Sequence, residues 1–327
     1  MPAKIELLKV RDFGEIITDS FSFARQNFKQ LVKCFFVFSG FFMLAGALLL
    51  ALHQSKVLSE MSNNAFGAPR SVFGTAYSNL GADYWSAIAL LLVGYINLQV
   101  SMLSYMAIYR QKGNVAATVE EVWGYVKYFF FRIFGSALLV AIMMIGAILI
   151  VFVILYAISS SNTYLAIFLS FLLCIVPLVY IYPIFSLIFP IMVFENTSFG
   201  YAFGRSFTLI KRNWWATFGS IFIMGLITWV ASFIILVPVG ILNAISLITH
   251  FGKGTPFSTV TTVITAVLEA LSHMLYIVPI ITVSLCYFNL TEQRDGEGLL
   301  SRISQLGAIQ SPAQEEDHRS EEEEDEI

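Results

Sequence analysis

The sequence predicts an all-α polytopic membrane helix bundle, with six transmembrane helices in three repeats of an interfacial amphipathic helix plus two spans. Three observations predict it. Of the 327 residues, 57% are hydrophobic and only 13% charged, against roughly 25% charged residues in a soluble globular domain, and mean hydropathy is +0.75. The apolar residues gather in six long blocks. A short aromatic and basic segment recurs ahead of pairs of those blocks.

A span needs about 20 apolar residues to cross a hydrocarbon layer of about 30 Å. The qualifying blocks run at about 31–52, 84–109, 134–158, 164–194, 215–248 and 260–290. Their hydrophobicity is continuous rather than alternating, which selects helices over a β-barrel. Residues 1–290 thus form one membrane domain. The N-terminal "MPAKIELLKVRDFGEIITDS" has no apolar core or small-residue cleavage site, so the first span is expected to be an uncleaved anchor.

Placing the N-terminus through Lys33, the 110–132 and 199–212 connections and the C-terminus on one side collects 16 of the 19 Lys and Arg residues. Only Lys56, Arg70 and Lys253 fall on the other side. The positive-inside rule then makes both termini cytoplasmic and the Ser-, Asn- and Gly-rich 53–83 loop external. The acidic residues concentrate in the C-terminal "EEDHRSEEEEDEI". Residues 291–327 therefore read as a disordered cytoplasmic tail, or as an acidic docking segment for a basic partner.

Prolines punctuate the later spans. The fourth carries Pro177, Pro183 and Pro190, the fifth "VPVG" at 237–240 and the sixth "IVPI" at 277–280. Broken helices can mark transport sites, and kinked packing is the ordinary alternative.

The repeat is in the connections. "SFSFARQNF" (20–28) aligns without gaps on "SFTLIKRNW" (206–214), with Arg25 over Lys211, Asn27 over Asn213 and Phe28 over Trp214. "VWGYVKYFF" (122–130) is a weaker copy, with Lys127 at the basic position. Around the first and third copies, apolar residues recur at three- and four-residue steps, as in Phe13, Ile16, Ile17, Phe21, Ala24 and Phe28 or Phe199, Phe203, Phe207, Ile210 and Trp214. Interfacial helices are therefore expected at about 11–30, 117–131 and 199–214. Such helices either mark the cytoplasmic border of the bundle or bind anionic headgroups or a partner. The candidate binding residues are Arg205, Lys211, Arg212, Arg25 and Lys127.

The stretch "FPIMVFENTSFGYAFGRSFTLIKRNWWATFG" (189–219) and the N-terminal "RDFGEIITDSFSFARQNFKQL" (11–31) resemble bacterial multi-pass proteins grouped with the membrane domain of glycerophosphoryl diester phosphodiesterase. The resemblance implies a bacterial cytoplasmic membrane. In enzymes of that name, hydrolysis belongs to a separate soluble barrel domain that follows the membrane region. Only 37 residues follow the last block here, so no phosphodiesterase activity is expected.

The residues themselves show no catalytic set, cofactor loop or metal-ligand spacing, and no nucleic-acid partner is expected. Cys34, Cys174 and Cys286 lie far apart in apolar runs and read as small buried hydrophobes. The exception is "LEALSHML", which places Glu269 and His273 one helical turn apart on one face of the sixth span. Glu269 lies nine residues past Val260, roughly 13 Å along a helix. An ionisable pair at that depth is either a proton or cation site or an internally satisfied structural pair. Asn97, Gln99 and Asn243 are further intramembrane polar residues, which either line a cavity with Glu269 or bond neighbouring helices.

Two functions follow as expectations. One is a non-enzymatic membrane protein that organises lipids or partner proteins, including copies of itself, through the basic helices. The other is a transporter or channel-like protein using Glu269 and His273.

Overall fold

A computed structural model describes residues 4–63, 81–159, 163–250 and 259–296. Every regular element among them is helical. In chain order these are α1 (Phe13–Gln26), α2 (Phe28–Cys34), a π-helical turn (Phe35–Gly40), α3 (Phe41–Asn63), α4 (Ala82–Gln111), α5 (Val119–Ser159), α6 (Thr163–Phe194), α7 (Phe199–Ile210), α8 (Trp214–His250), α9 (Thr259–Met274) and α10 (Ile277–Asp295). Most of the 53–83 loop, and the acidic tail beyond residue 296, lie outside the described residues.

Six stretches are long and apolar enough to cross a membrane: Phe28–Val57, Ala82–Gln111, Val119–Val153, Val176–Phe194, Trp214–Ile245 and Thr259–Asp295. They correspond one for one to the six blocks of the sequence. The fold is an all-α polytopic helix bundle.

Burial is uneven along these helices. The core is built from the second half of α4, with Leu98, Met102, Leu103, Tyr105 and Met106, and from α10, with Ile281, Leu285 and Phe288. Helix α10 packs against α1, α8, α4 and α6. In α5, by contrast, large apolar residues from Phe134 to Val153 are mostly exposed. An apolar surface of that extent suits lipid and not water.

Helix pairs approach closely where glycine permits it. A Cβ on Gly46 of α3 would stand 2.7 Å from Leu91 Cγ of α4, and one on Gly94 would stand 3.0 Å from Met43 Sδ. Those two crossings fix α3 and α4 as antiparallel neighbours.

The repeat is visible in three dimensions for two of its copies. Asp12 and Ser198 are the N-cap residues of α1 and α7, and Phe13 and Phe199 are their first helical residues. At Asp12 the cap is closed by a reciprocal pair: Glu15 N donates to Asp12 Oδ1 at 2.7 Å, and Asp12 N to Glu15 Oε2 at 3.2 Å. Ile16, Ser20 and Phe23 are buried on α1, and their counterparts Ala202, Ser206 and Leu209 are buried on α7. Both short helices end before an asparagine, Asn27 or Asn213, and the following helix starts at Phe28 or Trp214.

The second copy departs from this plan. Instead of a separate helix over 117–131, α5 starts at Val119 and runs unbroken to Ser159. Thr118 N donates to Glu121 Oε2 at 2.9 Å, closing the N-terminal turn. The residue at the asparagine position here is Phe129, which is buried. Asparagine bonds nearby backbone and favours breaks and caps, whereas phenylalanine offers no such competitor. Asn27 does this directly, its Nδ2 donating to Phe23 O at 3.1 Å.

The prolines differ in consequence. Pro177, Pro183 and Pro190 lie inside the continuous α6, and Pro238 inside α8. Among the described residues the sixth is the one proline-bearing span that is divided, between Met274 and Ile277, where Leu275 N donates to Ser272 O and Tyr276 N to His273 O, both at 3.2 Å. Pro279 falls in the first turn of α10, where a missing N–H leaves no helical bond unmade.

Candidate functional site

The basic segment that joins α7 to α8 is built from two kinds of cation. Arg205, on α7, is tied into the protein. Its Nε lies 3.4 Å from Glu195 Oε1, its Nη2 pairs with Asp295 Oδ2, and Tyr287 Oη donates to Glu195 Oε1 at 3.1 Å. This network joins the ends of α6, α7 and α10. Burial pushes the Arg205 pKa down, and the two carboxylates more than offset that, leaving it above its ordinary range.

Lys211 and Arg212 are different. They occupy the turn between α7 and α8 and are exposed. Both line two adjoining grooves. One, of about 490 Å³, is completed by Thr208, Asn213, Gln293 and Arg294. The other, of about 750 Å³, is completed chiefly by Val176, Tyr180, Phe207, Trp214 and Trp215. Trp214 is fixed by Nε1–H donation to Tyr180 O at 3.1 Å and by stacking on Tyr180 and Phe218, with centroids 5.6 and 5.1 Å away. Trp215 is largely exposed. Arg25 and Lys127 are exposed at their own positions in the first two copies and do not line these grooves. The Lys127 ammonium lies 4.8 Å over the Trp123 ring.

The intramembrane candidates divide similarly. Glu269 and His273 share a face of α9, yet each bonds a different helix. Gln54 Nε2 of α3 donates to Glu269 Oε1 at 3.2 Å, and His273 Nδ1 lies 2.8 Å from Tyr95 Oη of α4. Glu269 Oε2 is buried and has no hydrogen-bond partner among the described residues. Asn97 is buried, and Gln99 and Asn243 are half-buried. Among the described residues no hydrogen bond joins any of these three to Glu269 or His273.

Sequence reasoning missed two buried polar centres. One is Arg11, just ahead of α1: its side chain is only 1% exposed and its Nε donates to Asp19 Oδ2 at 2.8 Å. Its Nη1 donates to Leu7 O and Lys9 O at 2.9 and 3.1 Å, and Nη2 to Glu6 O. Asn27 Oδ1 accepts from Tyr105 Oη at 2.8 Å. The signal for Asn27 was present, in the asparagine that both strong copies share. Nothing local distinguished Arg11.

No family model, curated protein or solved structure matches this chain. No group of three His, Cys, Asp or Glu residues suited to a metal occurs among the described residues. Fold and apolar surface together define the class: an all-α, multi-pass membrane protein.

Proposed function

We propose that this is a non-enzymatic membrane protein that holds anionic phospholipid at its cytoplasmic border, with Lys211 and Arg212 as the headgroup contacts. The observation that carries the reading is that these two exposed cations line both a polar groove and an aromatic one. A headgroup phosphate would sit in the first, with Arg294 as a third cation. The upper acyl chain would lie in the second, against Tyr180, Trp214 and Trp215. Tryptophan suits that level of a bilayer because its ring is apolar and its N–H polar.

The lipid reading is favoured over a protein partner because one groove wall is aromatic while its rim is cationic. In this reading Arg205 positions the segment through Glu195 and Asp295, and Arg25 and Lys127 add long-range attraction to the same leaflet. In this reading both termini face the cytoplasm, by the distribution of Lys and Arg, and the membrane is the bacterial cytoplasmic membrane that the resemblance implies.

The test is lipid retention. Purified protein in nanodiscs of zwitterionic lipid would be titrated with phosphatidylglycerol, comparing the wild type with Lys211→Gln/Arg212→Gln. Each cation near an anionic surface contributes about 1 kcal/mol, so the double variant should bind about thirtyfold more weakly at low salt. Equal affinity would reduce both residues to markers of topology.

A further inference from the structure

Independently of the lipid reading, the geometry points to Glu269 as a proton-binding carboxyl inside the membrane bundle, connected through a ladder of polar side chains on α3, α4 and α9.

The order of the ladder follows from the helix crossings. Gly46 meets Leu91 and Gly94 meets Met43, so moving from Met43 toward Asn63 on α3 means moving toward Asp83 on α4. At that end Lys56 Nζ lies 2.7 Å, and His53 Nδ1 3.6 Å, from Asp83 Oδ2. One residue from His53, Gln54 holds Glu269 Oε1. One helical turn further along α9, His273 meets Tyr95. The Tyr276 ring then stands edge-on to Tyr95 at 5.5 Å, where the sixth span is divided.

Helices α3 and α8 pack on α9. Helix α3 contributes His53, Gln54 and Lys56, α4 contributes Asp83 and Tyr95, and the α9–α10 turn contributes Tyr276. Helix α8 presents no charged residue among its described side chains. Among the described residues the nearby ammonium is Lys56, which donates to Asp83. Glu269 has one oxygen bonded by a neutral amide and one buried oxygen with no partner.

Purely structural pairing would use both oxygens, because a buried polar atom without a partner costs about 1–3 kcal/mol. A proton on Oε2 neutralises the carboxyl and gives it a donor that can be handed on. The receiving group on the same face is His273, one turn further along α9, which a bridging water would connect. His273 can take a proton on one ring nitrogen and release one from the other, with Tyr95 Oη at its Nδ1. The transfer moves a single proton between oxygen and nitrogen and needs no other reactant.

A hydrophobic carbodiimide tests this, because it modifies a carboxyl only in its protonated form and does so within a membrane. Protein in nanodiscs would be labelled between about pH 5 and 9 and the adduct mapped by mass spectrometry. We expect an adduct at Glu269 that declines with rising pH and is absent in Glu269→Gln. Gln54→Leu and Tyr95→Phe, each checked for an unchanged melting temperature, should move the midpoint of labelling by about one pH unit or more. No adduct at any pH in the folded protein would overturn the assignment. An adduct whose pH profile is identical in both variants would overturn the ladder.

Discussion

Tyr105 donates a hydrogen bond to Asn27 across 2.8 Å in the buried interior, and Asn213, at the equivalent elbow, donates to Gln293 near the surface. Each asparagine therefore ties the break ahead of a span to the last helix of its own repeat. Asn27→Ala should destabilise the protein by about 2 kcal/mol, because it leaves the buried Tyr105 hydroxyl proton without its acceptor. Asn213→Ala should cost under about 1 kcal/mol, since water can replace the lost partner. Denaturation in mild detergent measures both, and equal losses would show that burial does not separate the two elbows.

Arg11 makes the most demanding set of bonds at the N-terminus. Arg11→Lys keeps the charge but supplies one ammonium where a planar fork reaches Asp19 and the carbonyls of Glu6, Leu7 and Lys9. The backbone of Arg11 also donates to Asn289 Oδ1 at 2.8 Å, which ties the segment to α10. Removing one partner of a buried pair costs about 3–5 kcal/mol. Asp19 is partly exposed, so a loss near the lower end is expected for Arg11→Gln, with Arg11→Lys intermediate. Limited proteolysis near residue 10 would report the loosening directly, and a wild-type cleavage pattern in both variants would contradict it.

The α3–α4 crossing offers a matched comparison. An added Cβ at Gly46 meets Leu91 at the branched carbon and also lies 3.1 Å from its backbone nitrogen. At Gly94 the obstacle is the thioether of Met43, the far end of a flexible chain. Gly46→Ala should therefore cost about 1–3 kcal/mol, and Gly94→Ala clearly less. Thermal inactivation of the two proteins in parallel decides the order.

Topology can be checked without a ligand. With the three native cysteines replaced, Ser55→Cys should react with a membrane-impermeant maleimide on intact cells. Lys112→Cys should react only after permeabilisation. The reverse pattern would invert the orientation drawn from the positive residues.

Six spans, their order and the alignment of Asn27 on Asn213 were legible in the sequence because each depends on local composition or short-range alignment, whereas the break at Asn27 falls inside the helix expected at about 11–30. The division of the sixth span was half legible, through Pro279, although α6 shows that proline alone does not divide a helix. The second copy misled for a physical reason: its aromatic and basic positions match, but the asparagine that interrupts the helix is absent. In the polar site, Glu269 and His273 stood out as ionisable residues in an apolar block. Their partners Gln54 and Tyr95 did not, since a neutral polar residue on a distant span becomes informative only when the helices are seen to cross. Arg11 was hidden for the opposite reason, because charge next to a helix start ordinarily means solvent.

The exposure of α5 carries a mechanical consequence. The helix packs on α4 and α6, yet between Phe134 and Val153 most of its large apolar side chains face outward. Its tilt therefore answers to bilayer thickness as well as to those neighbours, at a cost of fractions of a kcal/mol per ångström of mismatch. A thinner membrane would lean this helix outward while the α4–α10 core stayed in place, making it the part of the molecule most responsive to the lipid around it.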